Sequence, residues 1–271
     1  MDIRLTKHHG LGNDFLVVDL AQGTPQVEWS ELARRWCDRR FGVGADGLLL
    51  LDIQGPQHLS MVLFNADGSR AEMSGNGIRC LVQAAHRHEN ASSSLATTYT
   101  VKTDAGQRIV RVEGGDEGET LQISVEMGQI TDLDEPQNWS DLQCNPDRPV
   151  RHLSLGNPHS VVGVDDLDAV DLQTLGALVP QVNLEIVAAG PEIDAITMRV
   201  HERGAGITLA CGTGACAAAE AALAWGLVPA STPEVIVHMA GGDARVRIDL
   251  ASRTATLIGP SVFIASLSVH V

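Results

Sequence analysis

Aromatic side chains are scarce: one Tyr, four Phe and four Trp among 271 residues, 3% in all. With 44% hydrophobic residues, the interior must therefore be built from Val, Leu, Ile and Ala, the composition of an ordinary globular protein. No stretch approaches the ~20 consecutive apolar residues of a membrane span. The start, Met1-Asp2-Ile3-Arg4-Leu5-Thr6-Lys7, lacks the apolar core of a signal peptide, so a cytoplasmic location with no membrane partner is expected. Basic residues are also in deficit. Nineteen Lys and Arg against 34 Asp and Glu give a net charge of -15, which repels polyphosphates and argues against a nucleic-acid partner. Five cysteines (Cys37, Cys80, Cys144, Cys211, Cys216) are an odd number without a C-x-x-C pair. That pattern argues against a disulfide framework and a structural zinc site, and leaves at least one thiol free.

At roughly 150 residues per domain, this length predicts two domains. Short β-type runs dominate, at 15–19, 48–52, 61–65, 98–103, 107–112, 120–127, 160–164, 186–188, 195–200, 234–239, 244–248, 254–258 and 262–270. Helices are expected at 29–37, opened by Ser30 and Glu31, and at 75–87 and 212–225, each opening at a glycine turn. The class is α/β (α+β). A domain boundary is expected near Gly114-Gly115-Asp116-Glu117-Gly118 or just after Met127-Gly128.

One module occurs twice. Ser74-Gly75-Asn76-Gly77 and Cys211-Gly212-Thr213-Gly214 each place a nucleophile-type side chain before Gly-x-Gly and a helix of small residues. Asn65-Ala66-Asp67-Gly68 and Glu202-Arg203-Gly204-Ala205 each end a strand nine residues before the nucleophile position. A pseudosymmetric pair of half-sites is implied. The free N–H groups and positive dipole end of a helix hold a carboxylate, and glycines let the backbone approach it. An α-carbon beside that carboxylate would have Ser74 on one face and Cys211 on the other. Removing a proton from one face and delivering one to the other inverts the centre. A thiol suits this work because a helix N-terminus lowers its ordinary pKa of ~8.5 toward neutrality.

Further motifs make the pattern specific: Lys7-His8-His9-Gly10-Leu11-Gly12-Asn13-Asp14-Phe15, Phe64-Asn65-Ala66-Asp67-Gly68-Ser69, Gly75-Asn76-Gly77-Ile78-Arg79-Cys80, Gly156-Asn157-Pro158-His159, Glu202-Arg203-Gly204-Ala205-Gly206 and Ala210-Cys211-Gly212-Thr213-Gly214. In this order they resemble the motif series of diaminopimelate epimerases, and Leu257-Ile258-Gly259-Pro260 resembles that family's C-terminus. The resemblance implies two pseudosymmetric domains, each a β-sheet wrapped around a central helix, with residues 1–127 and 260–271 in one and 128–259 in the other. It further implies a homodimer, no cofactor, no metal, and interconversion of LL- and meso-diaminopimelate in bacterial lysine and peptidoglycan precursor synthesis. By motif position, Asn13, Asn65, Asn157 and Asn183 would bind the amino-acid substrate, Glu202 and Arg203 would meet its charged ends, and Gly75, Asn76, Gly212 and Thr213 would form the carboxylate-binding turns. His159 and Glu202 would tune the catalytic pair.

Ser74 departs from the family pattern, which has cysteine there. Cys80 is no substitute, lying six residues and ~9 Å further along the helix. A serine hydroxyl is not appreciably ionised near neutrality without an adjacent base. Three readings stand: a natural variant using a relayed proton, a changed one-face reaction such as elimination, or a substitution that traps an inactive state. His8, where the family usually has Met, is expected to be tolerated. Gly42-Val43-Gly44-Ala45-Asp46-Gly47 fits G-x-G-x-x-G but follows a helix and precedes a strand, the reverse of the dinucleotide-binding order. His86 and His88, on different sides of a helix C-terminus, are expected to be structural. A racemase acting on proline or hydroxyproline, and a non-catalytic amino-acid binding protein, are the alternative functions.

Overall fold

The computed structural model describes residues 2–22, 26–88, 96–116 and 119–271. The chain divides into two compact units, Met1–Val125 with Gly259–Val271, and Glu126–Ile258.

In the first unit, the strand Asn13–Asp19 pairs antiparallel with Asp2–Gly10 and parallel with Gly47–Gly55, which returns antiparallel as His58–Asn65. That strand takes the short Arg70–Ala71 antiparallel and Thr97–Thr103 parallel, and Gly106–Asp116 and Thr120–Gln129 follow antiparallel. The later part of Thr254–His270 pairs with Asp2–Gly10, and this last strand also pairs with Thr120–Gln129, so the ring of pairings closes. The helix Gly75–His88 is buried from Gly75 to Gln83 and again at Ala85 and His86, as a helix wrapped by a sheet must be. The run Leu48–Leu51 is buried on both faces: Leu48 and Leu50 pack with Leu32 and Trp36 of the helix Trp29–Cys37, and the pleat turns Leu49 and Leu51 the other way.

The second unit repeats this order and sense. Pro158–Gly163 pairs antiparallel with Val150–Ser154 and parallel with Asn183–Ala189, which returns antiparallel as Ala195–Glu202. The short Gly206–Thr208 is antiparallel to that strand and Val235–Met239 parallel, and Gly242–Asp249 and the first part of Thr254–His270 follow antiparallel. The helix Gly212–Trp225 is buried from Gly214 to Ala222. Six of those nine residues are alanines, which lets a sheet approach the helix backbone closely. Gly226, at φ 72, closes the helix by donating its N–H to the Ala222 and Leu223 carbonyls.

The structure adds elements that the sequence reading omitted. Asp2–Gly10 is a strand: Ile3 and Leu5 alternate inward, but a register shift at Lys7/His8 breaks the alternation and His8 takes a buried position. Val150–Ser154 and the seven-residue helix Leu172–Leu178, capped by the Asp171 side chain on the Thr174 N–H, are also present. The two runs expected at 254–258 and 262–270 are one strand, Thr254–His270, with Pro260 inside it. Ser30 does not open its helix. Glu28 is the N-cap, and the Ser30 hydroxyl donates instead to the Gly68 carbonyl. Of the Gly114–Gly118 turn, residues 117 and 118 lie outside the described residues. Among the described residues, no helix is long and apolar enough to cross a membrane.

Candidate active site

Both nucleophile positions sit immediately before a buried helix. Ser74 Oγ accepts the Gly77 N–H at 3.0 Å, and the Ser74 carbonyl accepts the Ile78 N–H. Cys211 is the N-cap of the second helix: its Sγ accepts the Gly214 N–H at 3.4 Å, and its carbonyl accepts the Ala215 N–H. Thr213 Oγ1 lies 3.5 Å from the Cys211 sulfur. The strands ahead of these helices end at Asn65 and Glu202, as the repeat predicts, and each returns through a short hairpin strand.

In the first unit, Asn13 joins Asn76 to an ionic cluster. Asn76 Nδ2 donates to Asn13 Oδ1 at 3.2 Å, and Asn13 Nδ2 donates to Asp46 Oδ2 at 2.7 Å. Arg39 bridges Asp46 and Asp14, each at 2.6 Å, and Lys7 reaches Asp14 at 2.9 Å. Burial opposes ionisation of Asp14, but Arg39 and Lys7 outweigh it and hold its carboxyl below the usual range. The fully buried Arg79 donates to the Gly75 carbonyl at 3.1 Å and to Asn76 Oδ1 at 2.8 Å, fixing the first turn of the helix. Asn65 stands apart from these contacts. It is exposed and donates to Ser69 Oγ across its own turn.

In the second unit, His159, Asn157 and Thr213 form a connected group beside Cys211, while Asn183 with Arg203, and Glu202, make separate contacts. Asn157 Nδ2 donates to Thr213 Oγ1 at 3.2 Å, and Asn157 Oδ1 lies 3.1 Å from His159 Nε2. His159 Nδ1 lies 2.6 Å from Glu185 Oε1, and both side chains are fully buried. Asn183 accepts the Arg203 N–H at 2.8 Å and donates to the Pro158 carbonyl, while the Arg203 side chain is exposed. Glu202 Oε1 accepts the Thr208 hydroxyl at 2.5 Å. Gly212 is the first helical residue.

The Cys211 thiol is not lowered toward neutrality. Burial pushes it well up, and the charges of Glu202 and Glu185 add to this, against the donors Thr213 and Gly214. The helix N-terminus is outweighed because the sulfur has little water and two carboxylates face it. Burial likewise raises the Glu185 carboxyl, against the pull of His159. A Cβ at position 214 would lie 2.7 Å from Glu185 Oε1 and 3.3 Å from the Cys211 sulfur, so any larger residue there must displace the Glu185 carboxyl.

Glu185, Asp46 and Arg79 were not singled out from the sequence as site residues. The clue to Glu185 was a lone carboxylate within the apolar run 184–189, two residues past Asn183. Asp46 was visible only within the rejected dinucleotide motif. The histidines set aside as structural are so engaged, His86 with the Tyr99 hydroxyl at 3.0 Å and His88 with Asp19 at 2.9 Å.

This architecture, two units that each wrap a sheet around a helix, is the fold of a class of solved racemases, epimerases and related proteins. The PhzF-family phenazine biosynthesis protein of Bacillus anthracis superposes with a TM-score of 0.75 at 16% identity, covering 100% of both chains. A hydroxyproline epimerase from Agrobacterium vitis does so with a TM-score of 0.68 at 16% identity, covering 99% of this chain and 91% of that one. Those likenesses concern the fold alone. The diaminopimelate epimerase family model matches residues 5–132 and 152–264. Diaminopimelate epimerase of Thermosynechococcus vestitus is 37% identical over 292 residues, covering 98% of this chain and 99% of that protein. That of Halothermothrix orenii is also 37% identical, over 283 residues, covering 96% and 95%. The chain belongs to the diaminopimelate epimerase family and is an isomerase.

Proposed function

We propose that the chain interconverts LL- and meso-diaminopimelate by proton removal and delivery at the α-carbon, with Cys211 acting on one face and Ser74 on the other. The observation that carries this reading is the Cys211 thiol at a helix start, with the Gly214 N–H and the Thr213 hydroxyl beside its sulfur. As a thiolate, Cys211 takes the α-proton. The substrate's α-ammonium adds a positive charge against the carboxylates of Glu202 and Glu185, which oppose the thiolate, and so favours the thiolate once substrate is bound. First-turn N–H groups at Gly212 and Thr213, and at Gly75 and Asn76, hold the α-carboxylate and stabilise the carbanion. Asn13, Asn65, Asn157, Asn183, Glu202 and Arg203 fix the rest of the substrate, and His159 with Glu202 tunes the acid–base groups.

Ser74 supplies a proton at the cost of a poorly stabilised alkoxide, so inversion is slow relative to abstraction by Cys211. No cofactor and no metal takes part. In this reading the residues 1–127 with 260–271, and 128–259, are the two epimerase domains of a cytoplasmic homodimer serving lysine and peptidoglycan precursor synthesis.

The test is LL-diaminopimelate in deuterated water, followed by NMR and chiral chromatography. Deuterium incorporation with appearance of the meso isomer is expected. Incorporation without inversion supports one-base chemistry at Cys211 alone. Binding without incorporation, persisting in Ser74→Cys, would identify a non-catalytic binding protein and end the proposal.

A further inference from the structure

The two helix starts rest on different foundations. Where the first unit pairs Phe15 with Gly47 and has Leu49 two residues on, the second pairs His159 with Asn183 and has Glu185 two residues on. An apolar pair is thus matched by a buried ionisable one. Such a pair gives little stability over well-packed apolar residues, so its presence points to another role. Among the described residues, Glu185 Oε2 is buried without a hydrogen-bond partner, so the carboxyl makes its contact through Oε1 to His159. From there a continuous chain runs to the thiol: Glu185 Oε1 to His159 Nδ1 at 2.6 Å, His159 Nε2 to Asn157 Oδ1 at 3.1 Å, Asn157 Nδ2 to Thr213 Oγ1 at 3.2 Å, and Thr213 Oγ1 to Cys211 Sγ at 3.5 Å.

We infer that Glu185 is a positioning residue for the Cys211 sulfur, acting through His159, Asn157 and Thr213, an assignment that rests on Cys211 being the proton-transferring thiol. With Nδ1 held by Glu185 Oε1, the His159 ring presents its Nε2 edge to Asn157. Nε2–H donates to Asn157 Oδ1, which orients the amide so that its Nδ2 donates to Thr213 Oγ1. The Thr213 hydroxyl, having accepted that bond, turns its own hydrogen to the sulfur, beside the Gly214 N–H. A thiolate at Cys211 then has two donors. Without the Glu185 contact, the ring and the amide are free to turn over, and Thr213 gives its hydrogen to Asn157 instead. Glu185 on its strand and Glu202 on the neighbouring one are the carboxylates acting on the sulfur. The direct field of Glu185 disfavours the thiolate, so field and chain act in opposite directions.

The experiment follows modification of Cys211 by methyl methanethiosulfonate across pH in the substrate-free protein, read on the Cys211 peptide by mass spectrometry. It compares Glu185→Gln and Glu185→Asp, each alone and combined with Thr213→Val. Either Glu185 variant is expected to slow modification at fixed pH by about twofold or more, with that slowing lost in the Thr213→Val background, where only the direct field of Glu185 remains to be changed, as coupling through one network requires. Faster modification, no change, or an equal change in both backgrounds would overturn the inference. Glu185→Asp keeps the charge while withdrawing it from His159, and carries the test if the Gln variant does not fold. Because no substrate is present, failure here leaves the epimerase reading standing. Absence of α-proton exchange in the intact enzyme would sink that reading without touching the chain.

Discussion

The Cys211 sulfur is held between opposing demands: burial and two carboxylates favour the thiol, while Gly214 and Thr213 donate to the thiolate. Cys211→Ala is therefore expected to lower turnover by ~10²–10⁴-fold, the usual contribution of a positioned acid–base group, in a steady-state assay with correct folding checked by circular dichroism. Gly214→Ala sets a methyl group against Glu185 and the sulfur, and should lower the stability read from a denaturant midpoint by ~1–3 kcal/mol. His8 offers a test that does not depend on proton transfer by Cys211 or Ser74. Its ring is fully buried between Gln83 and Thr6 and against Phe263, and burial lowers its pKa to about 4 from the usual 6.5. The unfolded chain binds the proton first, so this contribution to stability is intact above about pH 6.5 and is lost as pH falls toward 4, by up to ~3 kcal/mol. His8→Met removes the proton-binding group, and unfolding curves across that window should lose this component of their pH dependence.

At the scale of elements, the helices that open at Gly75 and Gly212 were legible because glycine turns and small-residue runs are local signals. Their burial was implied only by the family resemblance, which predicts a sheet wrapped around a central helix. Asp2–Gly10 was hidden because a bulge and a buried histidine spoil its alternation, and Leu172–Leu178 because seven residues give little periodicity to read. Pro260 suggested a break, yet the strand passes through it and the Pro260 carbonyl accepts from Arg79. The alanine run has its own consequence. Ala218 is fully buried inside the second unit, and Ala218→Leu should destabilise the protein by ~1–3 kcal/mol through overpacking, measurable by thermal unfolding.

At the scale of the whole molecule, the chain holds one strand order twice and gives the two copies different chemistry. Ser74, Asn76 and Asn13 lead to an ionic cluster of Asp46, Arg39, Asp14 and Lys7, whereas Cys211, Thr213 and Asn157 lead to the buried His159–Glu185 pair. The nucleophile positions and their glycines could be read from sequence spacing. Glu185 could not, because what marks it is contact across neighbouring strands, and a lone carboxylate in an apolar run shows no partner in one dimension. This inequality is where the serine matters: the helix start with the elaborate support carries a thiol, and the other has only a hydroxyl. The most direct test compares the native chain and Ser74→Cys acting on LL-diaminopimelate in deuterated water, measuring deuterium entry and inversion together. Deuterium should enter faster than the centre inverts in the native chain, and Ser74→Cys should raise the inversion rate toward the rate of entry. No deuterium entry in either protein, or no gain in inversion with the second thiol in place, would contradict the account.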